Sequence, residues 1–433
     1  MSYYSQGPIY PPVPARGDRV SVGADEPNRG LYSLVGALIS FALVRLASVI
    51  GVYSMFSGSG ESPRTYIFGD FTWYISIATR GYQDLPLDQV DTRQVNLAFF
   101  PLFPTLMKPF IALGVPPFLS GVIVASAASL VAAWALFRIG EFLYGKKAGF
   151  YLVMAWAVVP PAAMVLNLPM SEAVFTACAA TCLLFLLRGK LLAAAGMAVL
   201  AGLSRPTAVA VIAAVAWVAL AEIFRGRNIG RALLALVIAP LGFIGFIGFV
   251  ALKTGRIDGY FKVQTAWGSK FDFGFDWFKH IALWFSEPPD RQLDLVTLAT
   301  ALCALALLLF LIMLRPPAPF MVFTVVSLIL IFGQSHYPDH IQRFVVPVFP
   351  LLFPIAVGLA RVVWPIAAGL LAGAFVLTTL QCTYLAEHLP AKLDIKDLST
   401  SGGVTSMPEL GRGPVINDGP LAGSLRLGRQ QHN

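Results

Sequence analysis

Long apolar runs separated by short polar connections organise this chain. The runs occupy 31–56, 117–139, 148–166, 170–187, 191–203, 207–224, 232–252, 293–314, 319–334, 344–360 and 364–385. A helix needs about 20 apolar residues to cross a bilayer, whereas a porin-type strand needs only about 10 with strict alternation. The pattern therefore predicts an all-α polytopic membrane protein, a multi-span helix bundle of about eleven spans joined by extracytoplasmic and cytoplasmic loops. The run 191–203 is short, and Gly202 to Pro206 break the helix beyond it. Segment 96–110 (NLAFFPLFPTLMKPF) is apolar but interrupted by Pro101, Pro104 and Pro109, which reads as an interfacial or re-entrant element. Three regions follow: a Pro- and Gly-rich tail over 1–30 expected to be disordered and cytoplasmic, a transmembrane domain over 31–385, and a polar tail over 386–433. The first run is expected to be retained as an anchor rather than cleaved.

Composition supports the same class. The hydrophobic fraction is 57% and the charged fraction 12%, against about 25% charged in an average soluble chain. The mean hydropathy is +0.72. These values exclude a disordered protein, a collagen-like fibre and a small secreted disulfide scaffold. The net charge is +8, but the basic residues lie between the apolar runs. Topology explains them better than nucleic-acid binding does. Arg138 with Lys146 and Lys147, Arg188 with Lys190, Arg225 with Arg227 and Arg231, then Arg315 and Arg361 mark the expected cytoplasmic loops, on the side of the N-terminus. Loops 57–95, 166–171, 204–206, 253–292 and 335–343, with the C-terminal tail, fall outside. Cys178, Cys182, Cys303 and Cys382 all lie in apolar stretches without zinc-ligand spacing and read as packed side chains.

The polar groups able to do chemistry gather on the outer side. Asp70 sits beyond the first run, followed by Trp73, Tyr74 and Tyr82. A partly desolvated carboxylate among aromatic rings suits general-base work on a sugar hydroxyl, and the same residues also fit a plain interfacial aromatic belt. Glu172, after Ser171, opens an apolar run. It fits a helix N-terminal acid, or the partner of a lysine or arginine at the membrane boundary. Arg205 interrupts an apolar stretch directly before Pro206, either as a fork for phosphate or as a snorkelling side chain. His336, Asp339, His340 and Arg343 crowd one short loop. Zinc is one reading of the two histidines, although Pro338 disfavours a regular helix face between them. A phosphate cluster centred on Arg343 is the other. Gln264, Trp267 and Lys270 belong to an outer loop that either contacts an acceptor or lies on the membrane as an amphipathic element. Arg45 places a charge inside the first run. No phosphate-cradling Gly-rich fingerprint is present.

Six blocks in order carry a family resemblance: D-x-x-W-Y-x-x-I-A-x-x-G-Y at 70–82, N-x-A-F-F-P-L-F-P at 96–104, S-E-x-x-F at 171–175, L-S-R-P-T at 203–207, Q-x-x-W-G at 264–268 and R-F-x-x-P-x-F-P at 343–350. The chain resembles the PIG-V-like family of GPI mannosyltransferases and their bacterial relatives, within the GT-C glycosyltransferase superfamily, over roughly 31–385. The resemblance implies a GT-C-like bundle in a membrane, expected to be the bacterial plasma membrane. It also implies an extracytoplasmic active site and a polyprenyl-phosphate mannose donor. The acceptor would be a glycolipid or glycan hydroxyl. Asp70 falls on the family's acidic residue, and Arg205 and Arg343 fall in matching motifs. His336 and His340 are the next candidates for the donor phosphate, with Trp73, Tyr74, Glu172, Gln264, Trp267 and Lys270 for the substrates. The donor is a substrate, so no cofactor is expected, and neither a metal nor nucleic acid is implied. One departure is Gly69, where relatives commonly carry Trp, so the sugar is less firmly implied than the fold. Arabinose or glucose as the sugar, a lipid-linked glycan transporter and a scaffold subunit are the competing readings. The absence of an internal repeat disfavours the transporter.

Overall fold

The computed structural model describes residues 30–58, 70–83, 95–160, 162–286, 292–335 and 341–388. Helices α1 (Leu34–Gly58), α2 (Asp70–Arg80), α3 (Leu102–Ala112), α4 (Pro117–Tyr144), α5 (Lys146–Val158) and α6 (Ala162–Val165) form the first part of the chain. Then come α7 (Glu172–Leu187), α8 (Leu191–Gly202), α9 (Val209–Phe224), α10 (Ile229–Ile238), α11 (Leu241–Thr254) and α12 (Gly259–Ala266). The last are α13 (Phe275–Ser286), α14 (Gln292–Leu314), α15 (Ala318–Phe332), α16 (Ile341–Val345), α17 (Phe353–Arg361) and α18 (Trp364–His388). Among the described residues there is no strand, only an antiparallel bridge between Phe271 and Gln334. The protein is an all-α polytopic membrane protein. Among the described residues, six helical segments are long and apolar enough to cross a bilayer: Leu34–Gly51, Pro117–Tyr144, Pro206–Phe224, Ile229–Thr254, Leu295–Leu314 and Trp364–Cys382.

Proline explains where the expected spans were cut. The run 148–166 is one helix only as far as Val158; Val159 is extended, and Pro160 follows. A residue before proline disfavours the helical region, which ends α5 there. The run 344–360 is split into α16, a 3₁₀ turn over Phe349–Leu352 and α17, in step with Pro347, Pro350 and Pro354. Pro240 divides the run 232–252 between α10 and α11. The expected loop 253–292 instead holds α12 and α13, and segment 96–110 forms a 3₁₀ turn followed by α3.

The centre is a layer of helices apolar on all sides. Every residue from Ala148 to Val158 is buried, as is all of α7 except Phe185. A helix apolar all round can bury every face. α7 packs on α4 and α8, α4 on α5, α9 on α15, and α1 on α4, α5 and α18. Small residues let backbones approach: a Cβ on Gly140 would lie 2.6 Å from the Gly149 Cα. Gly145, between them, turns the chain at φ +94°, a region that favours glycine. The faces of α1, α14 and α18 that point outward carry exposed aliphatic residues such as Leu43, Leu309 and Leu370. Arg45 is buried on α1 and donates to the Ala157 carbonyl at 3.4 Å. A carbonyl partner of this kind moderates the cost of an intramembrane charge.

Candidate active site

Three breaks in the helical layer converge on one place. The first is the start of α7, where Ser171 and Glu172 follow the turn that ends at Met170. The second is the turn from α8 into the 3₁₀ segment Pro206–Ala208, where Arg205 is extended (φ −156°, ψ 155°). Pro206 forces its predecessor out of the helical region, so the arginine side chain leaves the helix axis at that point. The Leu203 carbonyl in this turn accepts the Leu102 N–H at 2.8 Å, which fixes the turn to the start of α3. The third is the short α16, which carries Arg343 and Phe344.

Glu172 is fully buried and binds two guanidinium groups. Arg205 Nη1 lies 2.6 Å from its Oε1, and Arg343 Nε donates to the same oxygen. Both guanidinium groups lie over the Phe344 ring, with centroid distances of 5.3 Å for Arg205 and 5.7 Å for Arg343. Both cations thus make cation–π contacts with one ring, a contact found more often for arginine than for lysine. The Tyr74 hydroxyl donates to Ser171 Oγ at 2.8 Å, and Arg205 Nη1 donates to the same oxygen at 3.3 Å. Burial pushes the Tyr74 phenol up to about 12, so it stays a neutral donor. Both sequence readings of Glu172 hold: it is the acid in the first turn of α7, and it pairs with two arginines from distant breaks.

These groups border a cavity of about 210 Å³. Arg205, Arg343, Ser171, Ser204 and Tyr74 supply its polar wall, and Phe99, Trp267 and Phe344 its aromatic wall. Trp73 lies one layer out. It stacks on Phe99 at 6.0 Å and meets Trp267 edge-on at 5.3 Å. Trp267 Nε1 donates to the Val95 carbonyl at 3.1 Å, and Gln264 Nε2 donates to the Tyr260 hydroxyl at 3.1 Å. Burial raises the Tyr260 phenol above its usual range, so it too stays protonated. The chain after α12 is tied to the end of α15: the Lys270 carbonyl accepts from the Ser335 N–H at 2.8 Å, and Asp272 N–H donates to the Gly333 carbonyl at 2.9 Å.

Of the residues singled out in the sequence, Tyr74, Arg205, Gln264, Trp267 and Arg343 border this cavity. Glu172 stands behind it, and Trp73 backs its aromatic wall. Lys270 does not border it, although its neighbour Ser269 does. Asp70 is the first residue of α2, one turn before Tyr74. The Asp70 side chain, and His336, Asp339 and His340, lie outside the described residues. Among the described residues no three metal-ligating side chains cluster. Ser204 and Phe344 are fixed positions of the L-S-R-P-T and R-F-x-x-P-x-F-P blocks but carry no role in the sequence reading. Each adjoins an arginine that does, and that adjacency is the signal that would have found them.

No protein-family model and no curated protein matches the chain. Among solved structures, it is similar to the crystal structure of ArnT from Cupriavidus metallidurans bound to undecaprenyl phosphate. That likeness has a TM-score of 0.46 and 14% identity, covering 80% of this chain and 64% of ArnT. The apo form of the same protein gives a TM-score of 0.46 and 14% identity, covering 78% and 62%. The chain thus spans less than two thirds of the length of these neighbours.

Proposed function

We propose that the protein is an integral membrane glycosyltransferase that moves a sugar, mannose by family resemblance, from a polyprenyl-phosphate donor to a glycolipid or glycan hydroxyl. The observation that carries this reading is the pair of guanidinium groups, held by one buried carboxylate, on the wall of a polar and aromatic cavity. Planar forks of this kind match phosphate oxygens, and aromatic faces match the apolar faces of a sugar ring. The cavity belongs to the extracytoplasmic side, following the distribution of Lys and Arg.

The reaction assigned to it is an inverting transfer. Asp70 takes the proton of the acceptor hydroxyl. That oxygen attacks C1 of the donor sugar from the face opposite the phosphate, the C1–O bond breaks, and lipid phosphate leaves with the bonding pair. Arg205 and Arg343 stand against the developing phosphate charge, with His336 and His340 as further candidates. Preorganisation matters here: guanidinium groups already fixed by Glu172 need not be ordered during the step.

The test is transfer from radiolabelled polyprenyl-phosphate mannose into a membrane lipid extract by the purified wild type and by Asp70→Asn. The expected result is a new labelled product with the wild type alone. Near-normal turnover by a folded Asp70→Asn variant would remove Asp70 from the base role. Transfer from a glucose or arabinose donor instead would change the sugar and keep the chemistry.

A further inference from the structure

Two serine hydroxyls beside the guanidinium pair are unexplained by the fold. Ser171 stands at the N-cap position of α7, where a serine side chain ordinarily accepts an N–H of its own helix. It makes no such bond. Its oxygen instead accepts from Tyr74 at 2.8 Å and from Arg205 at 3.3 Å. A hydroxyl has two acceptor positions and one donor. With both acceptor positions taken, the remaining O–H of Ser171 is left to donate, and the residue borders the cavity. Ser204 is 1% exposed and borders the same cavity, and its Oγ has no hydrogen-bond partner among the described residues. A buried hydroxyl without a partner is costly unless a ligand completes it.

We propose that Ser171 and Ser204 are donors to the oxyanion held at Arg205 and Arg343, with Tyr74 as the positioning residue that fixes the direction of the Ser171 proton. The ligand class is a tetrahedral oxyanion, the phosphate of the lipid donor and product, whose several oxygens match donors arriving from separate helix breaks. Hydroxyls add short, directional contacts to the two cationic forks. The inference rests on the phosphate reading of the cavity and adds residues to it.

The experiment measures binding of radiolabelled polyprenyl phosphate to the full-length protein in nanodiscs, with melting temperature measured in parallel. Arg205→Ala tests the underlying reading, and Ser171→Ala, Ser204→Ala and Tyr74→Phe test the addition. The expected results are a large loss for Arg205→Ala, about tenfold weaker binding for each serine variant, and a smaller loss for Tyr74→Phe. Ser204→Ala should keep the wild-type melting temperature while losing affinity, a split that a purely structural serine would not give. In an Arg205→Ala background, Ser171→Ala should weaken binding again; a serine acting only by holding the arginine would add nothing. Wild-type affinity in both serine variants, with weak binding in Arg205→Ala, overturns the proposal and leaves the phosphate site standing. Wild-type affinity in Arg205→Ala overturns the phosphate site itself. If Ser171→Ala does not fold, Ser204→Ala and Tyr74→Phe decide: wild-type affinity in both overturns the proposal.

Discussion

The layer formed by α4, α5, α7 and α8 differs sharply from the seam formed by residues 95–104, 203–208 and 341–353. In the layer, continuous helices satisfy their own backbone groups and present small side chains, so neighbours approach as closely as Gly140 and Gly149 do. In the seam, prolines interrupt the helices every few residues, and polar side chains turn inward: Arg205, Arg343 and Ser204 all sit at or beside a break. Irregular backbone is tolerated at membrane depth where it lines a cavity or is buried in protein. The difference teaches that rigidity and chemistry are supplied by separate parts of this bundle. The layer holds the seam in place, and the seam exposes the groups that can act.

The most damaging way to test that division is Glu172→Ala, which belongs to both parts. Removing one partner from a buried ion pair costs about 3–5 kcal/mol. The expected outcome is loss of monodisperse protein in detergent together with loss of transfer. A stable Glu172→Ala protein would mean that the carboxylate does not hold the arginines. Asp70→Asn should separate the parts cleanly, lowering turnover by about 10²–10⁴-fold with an unchanged melting curve. Gly149→Ala should do the converse. A methyl group forced toward the Phe137 carbonyl, 2.7 Å from its ideal position, should cost about 1–3 kcal/mol. Turnover per folded molecule should stay at the wild-type value, and a selective loss of activity would show the two parts to be coupled. Trp267→Phe keeps a ring on the cavity wall but removes the donor to Val95, a change of about 1 kcal/mol. A raised acceptor KM with little change in kcat is the expected reading. The smallest effect belongs to Asp258. Its carboxyl is held below the usual range by the hydrogen bond from Arg256, so whatever the pair adds is present at neutral pH and lost on acidification. Both groups face solvent, and Asp258→Asn should leave the neutral-pH melting temperature unchanged.

The layer was largely legible in the sequence because length and apolar character alone specify it. The seam was legible in fragments. Arg205 stood out as a charge in an apolar stretch, and Arg343 as the basic member of a polar cluster. Glu172 kept two readings open because its partners Arg205 and Arg343 come from distant parts of the chain, the second 171 positions away. Ser171 was explained too well by its neighbours: a serine before a helix satisfies a local rule, so nothing in the sequence signals that its side chain has been diverted. The stretch holding α12 and α13 reads in the sequence as a loop or one amphipathic element on the membrane, without the division into two helices that the structure shows.

One small device near the cavity has a practical consequence. Asn96 donates to the Gly81 carbonyl at 3.0 Å and accepts the Gln83 N–H at 3.0 Å, so the two ends of segment 84–94 are fastened together before that segment begins. An insertion between these anchored residues should add only slowly to the entropy of closing the chain between them. A short epitope spliced between those ends becomes a reporter. Antibody access from one face of sealed vesicles would read out the sidedness of the protein.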